Sequence, residues 1–217
     1  MRTIAFVTQK GGSGKSTLAT SLAVAAMEAG ERVFMLDMDP QGSLVSWAKM
    51  RNCDDLPVHA TTAGRLARLL EQLEENRVTL AVIDTPGVEG AASVAAMKAA
   101  DLNIIPARPN AFDLWASEIT RKALREHKAD YAFVLNQCPP AQQTARVEQG
   151  AEALEAMGGL ITPLVLSRVD YQEASRAGLG VTEWHPSGAA AEEMKAMWAS
   201  IKRRLARRAK SPSRRAA

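Results

Sequence analysis

Residues 9–17, Gln9-Lys10-Gly11-Gly12-Ser13-Gly14-Lys15-Ser16-Thr17, directly follow the apolar run Ile4-Ala5-Phe6-Val7. A strand that empties into a glycine-rich loop and then a helix aims several unpaired backbone N–H groups, the helix N-terminus and a lysine at one point in space. That point suits a phosphate. The pattern G-x-x-x-x-G-K-S/T asks for glycine at position 9, where Gln9 stands, yet Gly14-Lys15-Ser16-Thr17 keeps the phosphate-facing lysine and the magnesium-facing hydroxyl. Lys15 is therefore expected to reach the β- and γ-phosphates of a nucleotide and Ser16 to bind Mg²⁺. The amides of Gly11, Gly12, Ser13, Gly14, Lys15, Ser16 and Thr17 are expected to cradle phosphate oxygens. Lys10, at the start of the loop, is an addition to the ordinary pattern.

Working outward, apolar runs at 3–8, 32–37, 79–84, 101–106, 131–136 and 160–166 are short and nearly continuous, which suits strands covered on both faces. Helical patterns at about 16–29, 64–76, 90–100, 112–127, 142–157 and 188–209 alternate with them. The expectation is an α/β, doubly wound, mostly parallel sheet with helices on both faces. In such sheets ligands bind at the carboxyl ends of strands, so the loops after Thr8, Leu36, Ile83 and Leu135 are expected to converge. Asp84 closes the strand Leu80-Ala81-Val82-Ile83, where it can hold magnesium through water. Asp37 and Asp39 project from one face if their strand continues through them, and Asp39-Pro40 also favours a turn.

A chain of 217 residues, 47% hydrophobic, can bury one substantial core. The division expected is a nucleotide-binding domain over 1–201 and a basic, partly disordered end over 202–217. Eight of the 27 Lys and Arg residues fall in that end, which holds no acid; the remaining 19 against 24 acids give the body a net charge of −5. Local basicity of this kind points to a polyanionic partner. No 18-residue apolar run occurs and no charged-then-apolar leader precedes the first strand, so a cytoplasmic protein is expected. Cys53 and Cys138 form no C-x-x-C pair, and His59, His127 and His185 show no ligand spacing, so neither disulfide nor zinc chemistry is indicated.

The string Lys10-Gly11-Gly12-Ser13-Gly14-Lys15-Ser16-Thr17 resembles the deviant Walker A motif of the ParA and MinD group of P-loop ATPases. The resemblance continues through Asp37-Met38-Asp39-Pro40-Gln41-Gly42 and Val82-Ile83-Asp84-Thr85-Pro86-Gly87, and is closest to small ParA-type partition ATPases. It implies an ATP-sandwich homodimer in which Lys10 crosses to the phosphates of the other subunit. It also implies Asp39 as the residue that positions the attacking water and Asp37 as a support near the magnesium. Hydrolysis of ATP to ADP is then expected to be slow, since Thr85-Pro86-Gly87 offers no further base. Asn136 stands where relatives read the adenine edge, or else shapes its loop; Asp113 is a candidate for the dimer surface. The resemblance further implies nonspecific DNA binding on the nucleoid and a ParB-like or other cargo adaptor that stimulates hydrolysis, with Arg168, Arg176 and Lys195 in comparable regions. The cargo is a plasmid, a chromosome region or a protein cluster. A MinD-like alternative uses the last helix, with Met194, Met197, Trp198, Ile201 and Leu205 at helical spacing, on a membrane. DNA is favoured over membrane because the D-x-D-P-Q-G segment is of the ParA kind and the extreme terminus is rich in arginine without apolar residues.

Overall fold

A computed structural model describes residues 1–139 and 145–209. Six strands, β1 (Arg2–Phe6), β2 (Val33–Asp37), β3 (Val58–Ala60), β4 (Leu80–Asp84), β5 (Leu102–Ala107) and β6 (Tyr131–Leu135), form one sheet. Their order is β3-β2-β4-β1-β5-β6 and every pairing is parallel. Alternation sends Ile4 and Phe6 of β1 to one side and Ala5 and Val7 to the other, and both sides are completely buried.

Helices cover both faces. Against Ile4 and Phe6 pack α1 (Lys15–Glu28), α2 (Ser43–Arg51), α7 (Val169–Arg176), α8 (Val181–Trp184) and α9 (Ala189–Ala209). Against Ala5 and Val7 pack α3 (Ala63–Glu75), α4 (Ala91–Ala99), α5 (Ala111–Glu126) and α6 (Ala145–Ala156). Helix α1 is buried nearly all round because it lies between the sheet and α9, and its Ala19, Ala23, Ala25 and Ala26 permit that close fit. Helix α9 buries Met194, Met197, Trp198, Ile201 and Leu205 along one stripe, each contributing about 1.5–3 kcal/mol of burial free energy. The division expected after residue 201 therefore falls inside a docked helix. Leu205 belongs to the core, and the part of the basic end from residue 210 lies outside the described residues.

Two further expectations are corrected. Residues 160–166 do not form a strand; they touch the sheet edge through single bridges, Phe133 to Leu160 and Cys138 to Leu166. Pro163 has no N–H to donate there, and Gly158 and Gly159, with φ of 135° and 109°, turn the chain just before. Conversely, the three-residue edge strand β3, Val58-His59-Ala60, is too short to leave a periodic signal. Among the described residues no helix is long and apolar enough to cross a membrane.

Candidate functional site

The strands bring their carboxyl ends level: Phe6 pairs with Asp84, and Asp84 with Asp37. The loop after β1 turns over Gly12 (φ 75°) and Gly14 (φ 91°), and Gly14 caps α1 in the left-handed region. A side chain at Gly14 would meet the Asn136 amide at 2.3 Å, so both backbone angle and space require glycine. Gly87 is tight by space alone, because a Cβ there would lie 3.1 Å from the Gly11 nitrogen; the loop after β4 is packed directly on the phosphate-type loop.

Lys15 opens α1 and is 7% exposed, with Nζ 3.4 Å from the Lys10 carbonyl. Burial lowers the pKa of its ammonium, opposed by the charges of Asp84 and Asp39. Ser16 Oγ donates to Asp84 Oδ2 at 2.5 Å. Complete burial pushes the Asp84 carboxyl up to about 7, against the pull of the Ser16 hydroxyl and Lys15. Its Oδ1 and the Ser13 hydroxyl have no partner among the described residues. A buried carboxylate oxygen left open beside a serine hydroxyl is a pair of hard oxygen donors of the kind Mg²⁺ takes, so Asp84 and Ser16 fit that ion.

Around this point lies a cavity of about 830 Å³ lined by Gly12, Lys15, Ser16, Asp39, Trp47 and Arg176 among others, within the size range of ligand sites. Asp39 Oδ1 accepts the Gln41 amide at 2.9 Å, forming the turn that leads into α2. Asp37 is buried, and its carboxylate accepts the amides of Asp39, Leu44 and Val45 at 3.1, 2.9 and 3.1 Å. These bonds anchor the entry to α2. Asn136 donates to the Ser13 carbonyl at 2.8 Å, and Gln137 to that of Gly12 at 3.3 Å. Asn136 thus braces the loop, and it also lines a smaller cleft with Thr17, Arg168 and Tyr171.

Lys10 lies outside the phosphate cradle. Its ammonium is ion-paired with Asp113, in the first turn of α5, and sits 5.8 Å from the Phe112 ring centre. Burial would raise the Asp113 pKa, but Arg108, at 2.9 Å, and Lys10 outweigh it and hold the carboxyl below its usual range. The sequence carried a signal for this contact: Asn110 caps α5 by accepting the Asp113 amide at 3.0 Å, so the spacing from Asn110 fixes Asp113 in the first turn. The walls of the cavity from α2 and α7 carried none. The surface cations singled out earlier are partly compensated: Arg168 pairs with Glu193 at 2.6 Å, Lys195 with Glu192 at 3.2 Å and the exposed Arg176 with Glu173 at 3.4 Å.

An AAA domain family model matches residues 1–164. The maintenance of carboxysome distribution protein A of Gloeobacter kilaueensis is 33% identical over 202 residues, covering 87% of each chain. Protein ParA of Rhizobium radiobacter is 29% identical over 174 residues, covering 71% of this chain and 77% of the relative. Among solved structures, the septum site-determining protein MinD with Mg-ADP from Pyrococcus horikoshii superposes with a TM-score of 0.74 at 17% identity. That match covers 96% of this chain and 99% of the other. The phosphate-type loop, the aligned acidic strand ends and these matches lead to one assignment: the chain belongs to the ParA/MinD family of P-loop ATPases.

Proposed function

We propose that the chain binds Mg-ATP in the cavity at the strand ends, pairs with a second copy around it, and uses slow hydrolysis as a timer for positioning a cargo over DNA. Lys15 and the amides of residues 11–17 hold the phosphates. Ser16 and Asp84 would hold a magnesium ion, which would supply neutralisation of phosphate charge. Asp39, at the cavity wall and on a turn, positions the attacking water. Lys10 leaves Asp113 and reaches the nucleotide of the other copy, acting in trans on the charge that develops in the transition state.

The observation that carries this reading is the separation of the two lysines. Lys15 is buried in the cradle, whereas Lys10 stands beside it, 28% exposed, on the buried carboxylate of Asp113. A lysine meant for its own phosphate has no reason to stand outside. The basic end supports DNA as the polyanion, and a cytoplasmic, nucleoid-bound protein follows. The rival MinD-like reading needs an apolar face on the terminal helix for lipid, and Met194, Met197, Trp198, Ile201 and Leu205 belong to the core. The Gloeobacter relative, named for carboxysome distribution, supports a protein assembly as cargo, with a ParB-like or other adaptor stimulating hydrolysis.

The test compares Lys15→Ala and Lys10→Ala with the parent for binding of a fluorescent ATP analogue, mass in solution with non-hydrolysable ATP, and ATP turnover. Lys15→Ala is expected to lose nucleotide. Lys10→Ala is expected to keep nucleotide within about threefold while losing pairing and at least about tenfold in turnover, the loss of one charged group acting in the transition state. Parental pairing and turnover in Lys10→Ala would overturn the reading.

A further inference from the structure

We infer that the contact with nucleic acid is a cleft between α9 and the 159–163 loop, where Arg203, Arg204 and Arg207 take backbone phosphates. This rests on the DNA-binding reading above and names its surface. The cleft is open, about 390 Å³, and is lined by Leu160, Ile161, Thr162, Ser200 and the three arginines. Ser200 donates to the Thr162 carbonyl at 2.7 Å and accepts from Arg203 at 3.0 Å, so the helix and the loop are tied across it. Arg204 donates to the Tyr131 carbonyl at 2.7 Å, and Gly159 leaves room for it, since a Cβ there would lie 3.1 Å from the guanidinium. Arg207 has no hydrogen-bond or ion-pair partner among the described residues, and Arg203 has only Ser200. The carboxylate nearest along the loop, Glu155, is engaged by the Leu160 amide at 2.7 Å.

Compensation separates these arginines from the other described lysines and arginines between residues 160 and 207, namely Arg168, Arg176, Lys195 and Lys202. Arg168 and Lys195 each have a carboxylate, and Lys202, the neighbour of Arg203 on α9, is paired with Glu31 at 2.7 Å. An arginine without a carboxylate is the one that gains by meeting a phosphate, because its bidentate fork is still unfilled. Residues 1–201 carry net negative charge, so Arg203, Arg204 and Arg207 are a local excess of positive charge on a chain body of opposite sign. A membrane is the poorer occupant: the apolar residues of α9 point into the core, which leaves nothing to insert below the headgroups. The cleft also lies at the opposite end of the strands from the nucleotide. Arg204 meets Tyr131, where β6 begins, and Trp198 and Leu205 of α9 line a cleft with Leu80, where β4 begins, whereas Asp84 ends β4 about 13 Å away at the strand rise.

The experiment measures affinity for a random-sequence duplex against salt concentration, using the full chain with non-hydrolysable ATP. The parent is compared with Arg203→Ala/Arg207→Ala, Arg203→Lys/Arg207→Lys and Lys195→Ala. Each phosphate contact contributes about 0.9 to the slope of log K against log salt, so the double alanine variant is expected to lose about two units of slope per chain bound. The double lysine variant is expected to restore most of that slope, and Lys195→Ala to keep it. ATP turnover without DNA and the circular dichroism spectrum are expected to stay parental in all three. DNA binding by the parent with an unchanged slope in the alanine variant, or an equal loss in Lys195→Ala, overturns the cleft and leaves the DNA reading standing. A parent that binds no duplex with ATP overturns both. Dependence on Arg203 and Arg207 that is seen on phosphatidylglycerol vesicles and not on DNA replaces the polyanion by lipid and overturns the inference.

Discussion

At the residue scale the informative group is Asp113, because it sets what Lys10 must give up. Its side chain is 1% exposed and holds two cations, Lys10 and Arg108. If Lys10 crosses to a second copy, the ion pair with Asp113 competes with that transfer. Asp113→Asn is therefore expected to shift ATP-dependent pairing to lower protein concentration, by about three- to tenfold, read from mass in solution across a dilution series. The same change is expected to cost about 1–3 kcal/mol of folding stability, since a buried, charged hydrogen-bonding network loses its centre. The pH dependence has a definite sign. The folded carboxyl is held below its usual value of about 3.9, so its stabilisation is fully present above that pH and is lost as pH falls through the lower folded value. Urea midpoints of Asp113→Asn are expected to fall less steeply on acidification below pH 4 than those of the parent.

At the scale of elements, the joint between α2 and the segment entering α8 is the tightest fit that bears on the cavity. Gly178 has a φ of 71°, and a Cβ there would lie 2.1 Å from the Arg51 backbone nitrogen. Arg51 in turn reaches Glu183 and Asp55 at 2.6 Å each. Gly178→Ala combines a left-handed backbone with a backbone clash and is expected to cost about 3 kcal/mol or more and to loosen the cavity wall formed by Trp47. Gly30→Ala is the control, with a φ of 89° and open space, and is expected to cost only about 1–2 kcal/mol by urea unfolding. This joint also marks where the sequence stops being readable. Lys15, Ser16 and Asp84 were legible because a local loop and a strand end place them, and the five longer strands were legible from continuous apolar runs. Helices α2, α7 and α8 left little trace: α2 buries only Leu44 and Trp47, α8 has four residues, and their stability comes from one another and from α1. Residues 160–166 had the apolar content of a strand, and their pairing with the sheet edge is interrupted at Pro163, with Ile161 and Val165 bonding Phe133 and Leu135 on either side, a break that an apolar pattern does not weigh.

At the scale of the whole molecule the chain is polar along its strands, with acids and the phosphate loop at the carboxyl ends and arginines at the amino ends. Helix α9 joins these two properties, because its apolar stripe completes the core beneath α1 while its outer face carries the cations. The basic segment is thus continuous with a folded element up to Leu205, which is 5% exposed. Leu205→Ala tests that continuity. Removing a buried leucine forfeits its transfer free energy and leaves a void, so a loss of about 2–4 kcal/mol in urea unfolding with unchanged m-value is expected. A saturating ATP analogue is expected to stabilise the parent and Leu205→Ala by the same increment, since the substitution lies at the far end of the strands and leaves nucleotide affinity intact. Two other results carry distinct meanings. A change below about 0.5 kcal/mol means that α9 is not docked as far as residue 205. A smaller increment from nucleotide in the variant means that the two ends of the sheet are coupled through α1, the helix whose first residue is Lys15 and whose back is covered by α9.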